Sequence, residues 1–146
     1  MAGKAGRVVV ITTREGVMRR SRAGPLVLIA DDNADDRDLY ATLLRLHCYQ
    51  VATADNGQQA IDEAFALGPA VIVMDVTMPD IDGWTACRLL KDDPRTANIP
   101  IIVLTGHSGG EAEARAKAAG CNTYLVKPCL PENLVAEIER QLSRSV

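Results

Sequence analysis

Aromatic residues are scarce in this 146-residue chain, at 3% of the total, so its core must be filled by Val, Ile, Leu and Ala. Long apolar runs are also missing. The longest, around 26–30 and 70–74, are far too short to span a bilayer. Val8-Val9-Val10-Ile11 follows Lys4 and Arg7 but is too short for the apolar stretch of a secretory signal. There is no basic excess, and a formal charge of -3 argues against a dedicated nucleic-acid binder. No G-x-G-x-x-G or P-loop pattern offers a nucleotide a phosphate cradle. The cysteines at 48, 87, 121 and 129 show no C-x-x-C spacing, and the 2 histidines complete no zinc pattern with them. They read as small buried hydrophobes in a reducing cytoplasm, with no disulfide needed.

What is present suffices for one domain of ordinary size. The chain is 47% hydrophobic and 24% charged, enough for a real core in a protein that dissolves. Residues 1–24 stand apart. They are rich in Arg and Gly, carry Arg19, Arg20 and Arg22 close together, and end at Gly24-Pro25. This segment reads as a mostly flexible extension with room for a short edge strand at 8–11, before a domain over 25–146.

From Leu26 onward, two kinds of segment alternate. Strand-like runs lie at 26–30, 49–54, 70–75, 99–105 and 122–126. Between them the spacing is helical. Leu39, Leu43 and Leu46 share one face, as do Ala60, Ile61, Ala64 and Phe65, and Trp84, Cys87 and Leu90 or Lys91 mark a third helix. A fourth, over 111–119, has only alanines to bury, and the last has Leu134, Ile138 and Leu142 at i, i+4, i+8. Repeated βα units imply a five-stranded parallel sheet with helices on both faces, a doubly wound α/β fold. In such sheets the site lies at the carboxyl ends of the strands.

Those ends carry polar groups in order. The first run ends in Asp31-Asp32, the third in Asp75, the fourth in Thr105 and the fifth in Lys127-Pro128. Acids at a strand end are often helix caps, favoured by the macrodipole, and Asp35, Asp36 and Asp38 read that way. Asp31-Asp32 alone would allow the same reading. The joint placement of Asp31, Asp32, Asp75, Thr105 and Lys127 is what speaks against it. Three converging carboxylates repel and call for a hard divalent cation such as Mg²⁺. With a lysine and a hydroxyl beside them, they suit an aspartate nucleophile attacking phosphorus.

The segment Val27-Leu28-Ile29-Ala30-Asp31-Asp32-Asn33 resembles the opening of a two-component response-regulator receiver. So does 73–83, with Met78-Pro79 and Asp82-Gly83 following Asp75, and Ile101–Thr105 and Tyr124-Leu125-Val126-Lys127-Pro128 complete the likeness over about 26–143. The resemblance implies a flavodoxin-like receiver fold in which Asp75 accepts a phosphoryl group from a histidine kinase or phosphotransfer protein. It implies Mg²⁺ held by Asp32, Asp75 and the backbone carbonyl of Thr77, with Asp31 acting through water. It gives Thr105 and Lys127 the phosphoryl oxygens, makes Tyr124 the switch aromatic, and puts a cis peptide at Lys127-Pro128.

Thr77 and His107 fall at the family's variable positions, where residues modulate phosphoryl lifetime. From the residues alone His107 reads first as a solvated loop residue, and His47 as a helix end. The turn Cys129-Leu130-Pro131 lacks a capping side chain, although Pro131 suits a first helical turn. The implied protein is a cytoplasmic signalling receiver rather than an enzyme acting on a separate substrate. It contacts neither nucleic acid nor membrane directly, and a phosphorylation-dependent homodimer is compatible with it. No output domain is expected after the last helix, so the reading divides between a stand-alone receiver and a segment of a larger regulator or hybrid kinase. Two rivals are weighed. An aspartate-nucleophile phosphatase would need an Asp two residues after Asp75, where Thr77 stands. A phosphate-independent interaction module would not need the five site residues, all of which are present.

Overall fold

The computed structural model describes residues 8–12, 18–22, 24–106 and 109–144. Its main sheet has five parallel strands: β3 (Leu26–Ala30), β4 (Gln50–Ala54), β5 (Val71–Asp75), β6 (Ile101–Thr105) and β7 (Thr123–Val126). They lie in the order β4-β3-β5-β6-β7. β5 and β6 are buried along their whole length, as runs without alternation require when helices cover both faces. The five expected strands are all there, the first with its expected bounds and the other four trimmed by a residue or two at their starts.

α1 (Ala34–Leu46) and α5 (Pro131–Arg144) cover one face. Tyr40, Ala41 and Leu44 of α1 and Leu134, Val135 and Ile138 of α5 pack there on Val27, Ile29, Val73, Ile102 and Leu104. α2 (Gly57–Leu67), α3 (Gly83–Asp92) and α4 (Gly110–Ala119) cover the other. Ile61, Cys87 and Leu90 pack there against Leu28, Ile72, Met74 and Ile101.

One expected face is wrong. Leu39 and Leu46 of α1 are exposed, at 52% and 75%, and Tyr40, Ala41 and Leu44 point inward instead. Of the expected trio only Leu43 packs against the core. Phe65 is also partly exposed, with the Arg95 guanidinium 4.4 Å from its ring centroid. The cysteines divide as well: Cys87 is buried, Cys121 and Cys129 are half-buried and Cys48 is exposed, all as free thiols. Cys48 therefore departs from the buried reading.

The N-terminal segment has more structure than one edge strand. β1 (Val8–Thr12) pairs antiparallel with β2 (Met18–Arg22), Val10 opposite Arg20, in a two-stranded sheet separate from the main one. The rest of 1–23 lies outside the described residues.

Helix starts follow local chemistry. Asn33, Asn56 and Asp82 each accept a backbone N–H of the first turn, from Asp36, Gln59 and Thr85. The α1 cap is thus Asn33, while Asp35 and Asp36 lie in its first turn and Asp38 lies beyond it. His47 ends α1, its ring Nδ1 3.1 Å from the Leu43 carbonyl. α4 begins at Gly109 with no side-chain cap.

Candidate functional site

The topology reverses at β3. Its two neighbours are β4 and β5, which leave it in opposite directions across the sheet, and a crevice opens at such a switch point beyond the strand ends. β3 and β5 run in register, Ala30 beside Met74, so the residues that follow them emerge together. Asp31, Asp32 and Asp75 each place a carboxylate oxygen within 4.8 Å of the others. Asp31 and Asp75 are buried while Asp32 is exposed.

Lys127 closes the site from beyond β7. Its Nζ lies 3.2 Å from Asp75 Oδ2 and 3.6 Å from Asp31 Oδ2. The chain after it turns through a cis Lys127-Pro128 peptide, as the resemblance implied. Thr105 ends β6 fully buried, beside Val126 in the β7 register. Tyr124 is half-buried and packs against the core on the α2, α3 and α4 side. Thr77 does more than its variable position suggested. Its backbone N–H and its hydroxyl both donate to Asp75 Oδ1, at 3.1 and 3.2 Å. His107 lies outside the described residues.

Charge crowding leaves a mark. Burial, opposed by the Asn33 backbone hydrogen bond and reinforced by the Asp75 charge, pushes Asp31 up to about 6. Asp31 Oδ1 accepts the Asn33 N–H at 2.9 Å, whereas its buried Oδ2 makes no hydrogen bond. Lys127 at 3.6 Å is at ion-pair rather than hydrogen-bond range of that oxygen. Burial disfavours the Lys127 ammonium, but the Asp31 and Asp75 charges outweigh it and raise the lysine above its ordinary value. One lysine among three carboxylates leaves the cluster net negative. An all-oxygen donor set with an unsatisfied buried carboxylate oxygen fits a hard divalent cation.

Two residues to which the sequence reading gave no role support the site. Gly83 opens α3 against the Asp75 backbone. A Cβ there would overlap the Asp75 carbonyl and come within 2.7 Å of Val76 Cα, so the Asp-Gly pair has a steric reason. Arg37 reaches back from α1 and donates to the Asp31 carbonyl at 2.7 Å, fixing the end of β3. The basic residue two turns downstream was the available signal.

A doubly wound α/β sheet with an acidic crevice at its switch point, closed by a lysine from beyond β7, defines a class of domains that bind ligands and hard cations at the strand ends. Residues 27–139 match the response regulator receiver domain model, and the chain belongs to that family. Over 118 residues it is 36% identical to the response regulator PleD of Caulobacter vibrioides, covering 81% of this chain and 26% of PleD. It spans about half or less of the other curated relatives as well. Among solved structures it is similar to the chemotaxis protein CheY4 of Vibrio cholerae, with TM-score 0.75 and 31% identity over 80% of this chain and 97% of that one. It is also similar to the receiver domain of the sensor histidine kinase PA1611 of Pseudomonas aeruginosa, described with a magnesium ion in its active-site cleft. There the TM-score is 0.76 and the identity 29%, over 83% and 99% of the two chains. The chain is thus a receiver domain of two-component signalling. Among the described residues no helix is long and apolar enough to cross a membrane.

Proposed function

We propose that Asp75 takes a phosphoryl group from a histidine kinase or phosphotransfer protein and that this biases the surface around α4 and β7. The observation carrying the proposal is the Asp75 carboxylate itself. It is buried at a strand end, 3.2 Å from Lys127 Nζ, with two more carboxylates beside it.

Asp32, Asp75 and the Thr77 backbone carbonyl would hold Mg²⁺, with Asp31 joining through water. The ion, when bound, neutralises the carboxylates and the peripheral phosphoryl oxygens. The chain's own groups do the rest. Lys127 orients Asp75 and then pairs with a phosphoryl oxygen, so its charge is satisfied before and after transfer. Thr77 steadies the Asp75 carboxylate, its hydroxyl lying 3.2 Å from Oδ1 and 3.4 Å from Oδ2. Thr105 offers its hydroxyl to the phosphoryl group. It shares a small cleft of about 80 Å³ with Trp84, Glu111, Ala112 and Arg115, so movement of Thr105 is felt by α4, and Tyr124 follows on the adjacent strand. Thr77 and His107, at the family's variable positions, set the lifetime of the phosphorylated form. In this reading 25–146 is the receiver and 1–24 an extension. The domain works in the cytoplasm, assists its own phosphorylation and dephosphorylation, and acts by protein contact rather than on nucleic acid, with a phosphorylation-dependent homodimer as one form.

A small phosphodonor with Mg²⁺ should add one phosphoryl group as an acid-stable, hydroxylamine-labile acyl phosphate. Asp75→Ala should abolish it with the fold intact. Label that persists on the variant, or that maps to Ser or Thr, overturns the proposal.

A further inference from the structure

We propose that Cys87 and Cys121 form a dithiol modification site, oxidised by peroxide to a disulfide that fastens α3 to the start of β7 and holds α4 in place. Cys87 sits fully buried in α3, and Cys121 is half-buried just past the end of α4. Cys87 Sγ points at the Ala119 carbonyl at 3.6 Å, and Cys121 Sγ at the Ala116 carbonyl at 3.4 Å. Both sulfurs therefore lie against the same last turn of α4, near enough for each thiol to feel the other. Cys48 and Cys129 follow α1 and β7, and Cys129 packs with the α1 and α5 layer.

The pair is asymmetric in a useful direction. The interaction with Cys121 and burial push the Cys87 thiol up. The same interaction, helped by the Lys91 charge and opposed by burial, brings Cys121 down. Lys91 is held nearby through its Nζ, which donates to the Ala97 and Ile99 carbonyls at 3.1 and 2.7 Å. The more accessible sulfur is thus the better nucleophile, and the buried one keeps its proton.

The Cys121 thiolate attacks one peroxide oxygen and the O–O bond breaks, leaving a sulfenic acid and, after protonation, water. The Cys87 sulfur then attacks Cys121, the S–O bond breaks, and the departing hydroxide takes the Cys87 proton as a second water. Two thiols lose two electrons, and one hydrogen peroxide becomes two waters.

The new bond would close a loop containing all of β6 and α4. That it restrains signalling rests on the reading of α4 as the element that responds to Asp75.

The test has two arms on the full chain. Treatment with hydrogen peroxide and then an alkylating quench should give a Cys87–Cys121 linked peptide, two hydrogens lighter and restored by dithiothreitol. Cys121→Ser should lose the link, while Cys48→Ser and Cys129→Ser should keep it. Pairing through Cys48 or Cys129, or no link at all, overturns the site. Hydrogen exchange over 109–126 with and without beryllofluoride then compares reduced and oxidised protein. The response should fall at least several-fold on oxidation, and an equal response overturns the restraint while leaving the disulfide. A reduced protein that fails to respond overturns the reading of α4 instead, and the peptide map stands apart from it.

Discussion

α4 and α5 precede and follow β7 in the chain, yet they are held by different means. α5 buries Leu134, Val135 and Ile138 in the core shared with α1. α4 buries Ala112, Ala116 and Ala119 and no larger apolar side chain. A fully buried Leu or Ile contributes about 1.5–3 kcal/mol, and an alanine methyl only a fraction of that. α4 also starts at Gly109, with φ 93 and no side-chain cap, where α1, α2 and α3 each have one. A cap is worth about 1 kcal/mol. Alanines keep α4 helical while giving the sheet little to grip. The helix beside Thr105 is thus the more weakly anchored of the two.

The largest expected effect breaks the comparison at its strong side. Leu134→Ala should cost about 2–5 kcal/mol in urea denaturation, because it opens a cavity in a closed layer. Ala116→Gly in α4 should cost about 1 kcal/mol, from propensity and backbone entropy. If both changes cost the same, the two helices are equally anchored and the asymmetry is not real.

The next effect concerns the carboxylate cluster at the strand ends. Asp31 is raised to about 6 by burial first and by Asp75, so the folded state holds its proton at pH values where the unfolded chain has lost it. Without metal, this group favours folding below the unfolded pKa, and the benefit is lost as pH rises from about 4 through 6. The loss is on the order of 2–3 kcal/mol. Asp31→Asn should flatten that slope between pH 4 and 7 and melt higher than wild type in chelator at pH 7.5. Added Mg²⁺ should close the gap by stabilising wild type more. Parallel pH profiles for the two proteins would mean that burial and the Asp75 charge do not hold a proton on Asp31.

The weak grip on α4 was legible in the sequence, since 111–119 offers no large apolar residue to bury. So were the central strands, whose Val and Ile runs mean the same in any two-sided sheet. The strand-end positions of Asp31, Asp32, Asp75, Thr105 and Lys127 followed from them. The α1 face was not legible. Leu39, Leu43 and Leu46 satisfy helical spacing as well as Tyr40, Ala41 and Leu44 do, and only docking on the sheet chooses between them. β2 was hidden because Met18-Arg19-Arg20-Ser21-Arg22 has no strand pattern of its own and is defined by pairing with β1. The overlap at Gly83 and the approach of Cys87 to Cys121 depend on distances between elements, which spacing along the chain does not carry.

The smallest expected effect is local, and it sharpens the comparison most. Thr105 is buried at the end of β6 and lines the cleft that also touches Ala112 and Arg115 of α4. Drawing Thr105 toward a phosphoryl group on Asp75 would open space beside Tyr124, and α4 can resettle because only alanine contacts must be remade. Such a shift needs a few kcal/mol, within reach of a few charge-assisted hydrogen bonds. α5 would have to give up Leu134 and Ile138 to follow, so it should not. Thr105→Ala should therefore still accept phosphate at Asp75 but lose most of the beryllofluoride-induced exchange change over 109–126. Exchange in 131–144 should hardly change in either protein. Equal responses over 109–126 in wild type and variant would rule out Thr105 as the route. A response in α5 as large as that in α4 would show that anchoring does not decide which helix moves.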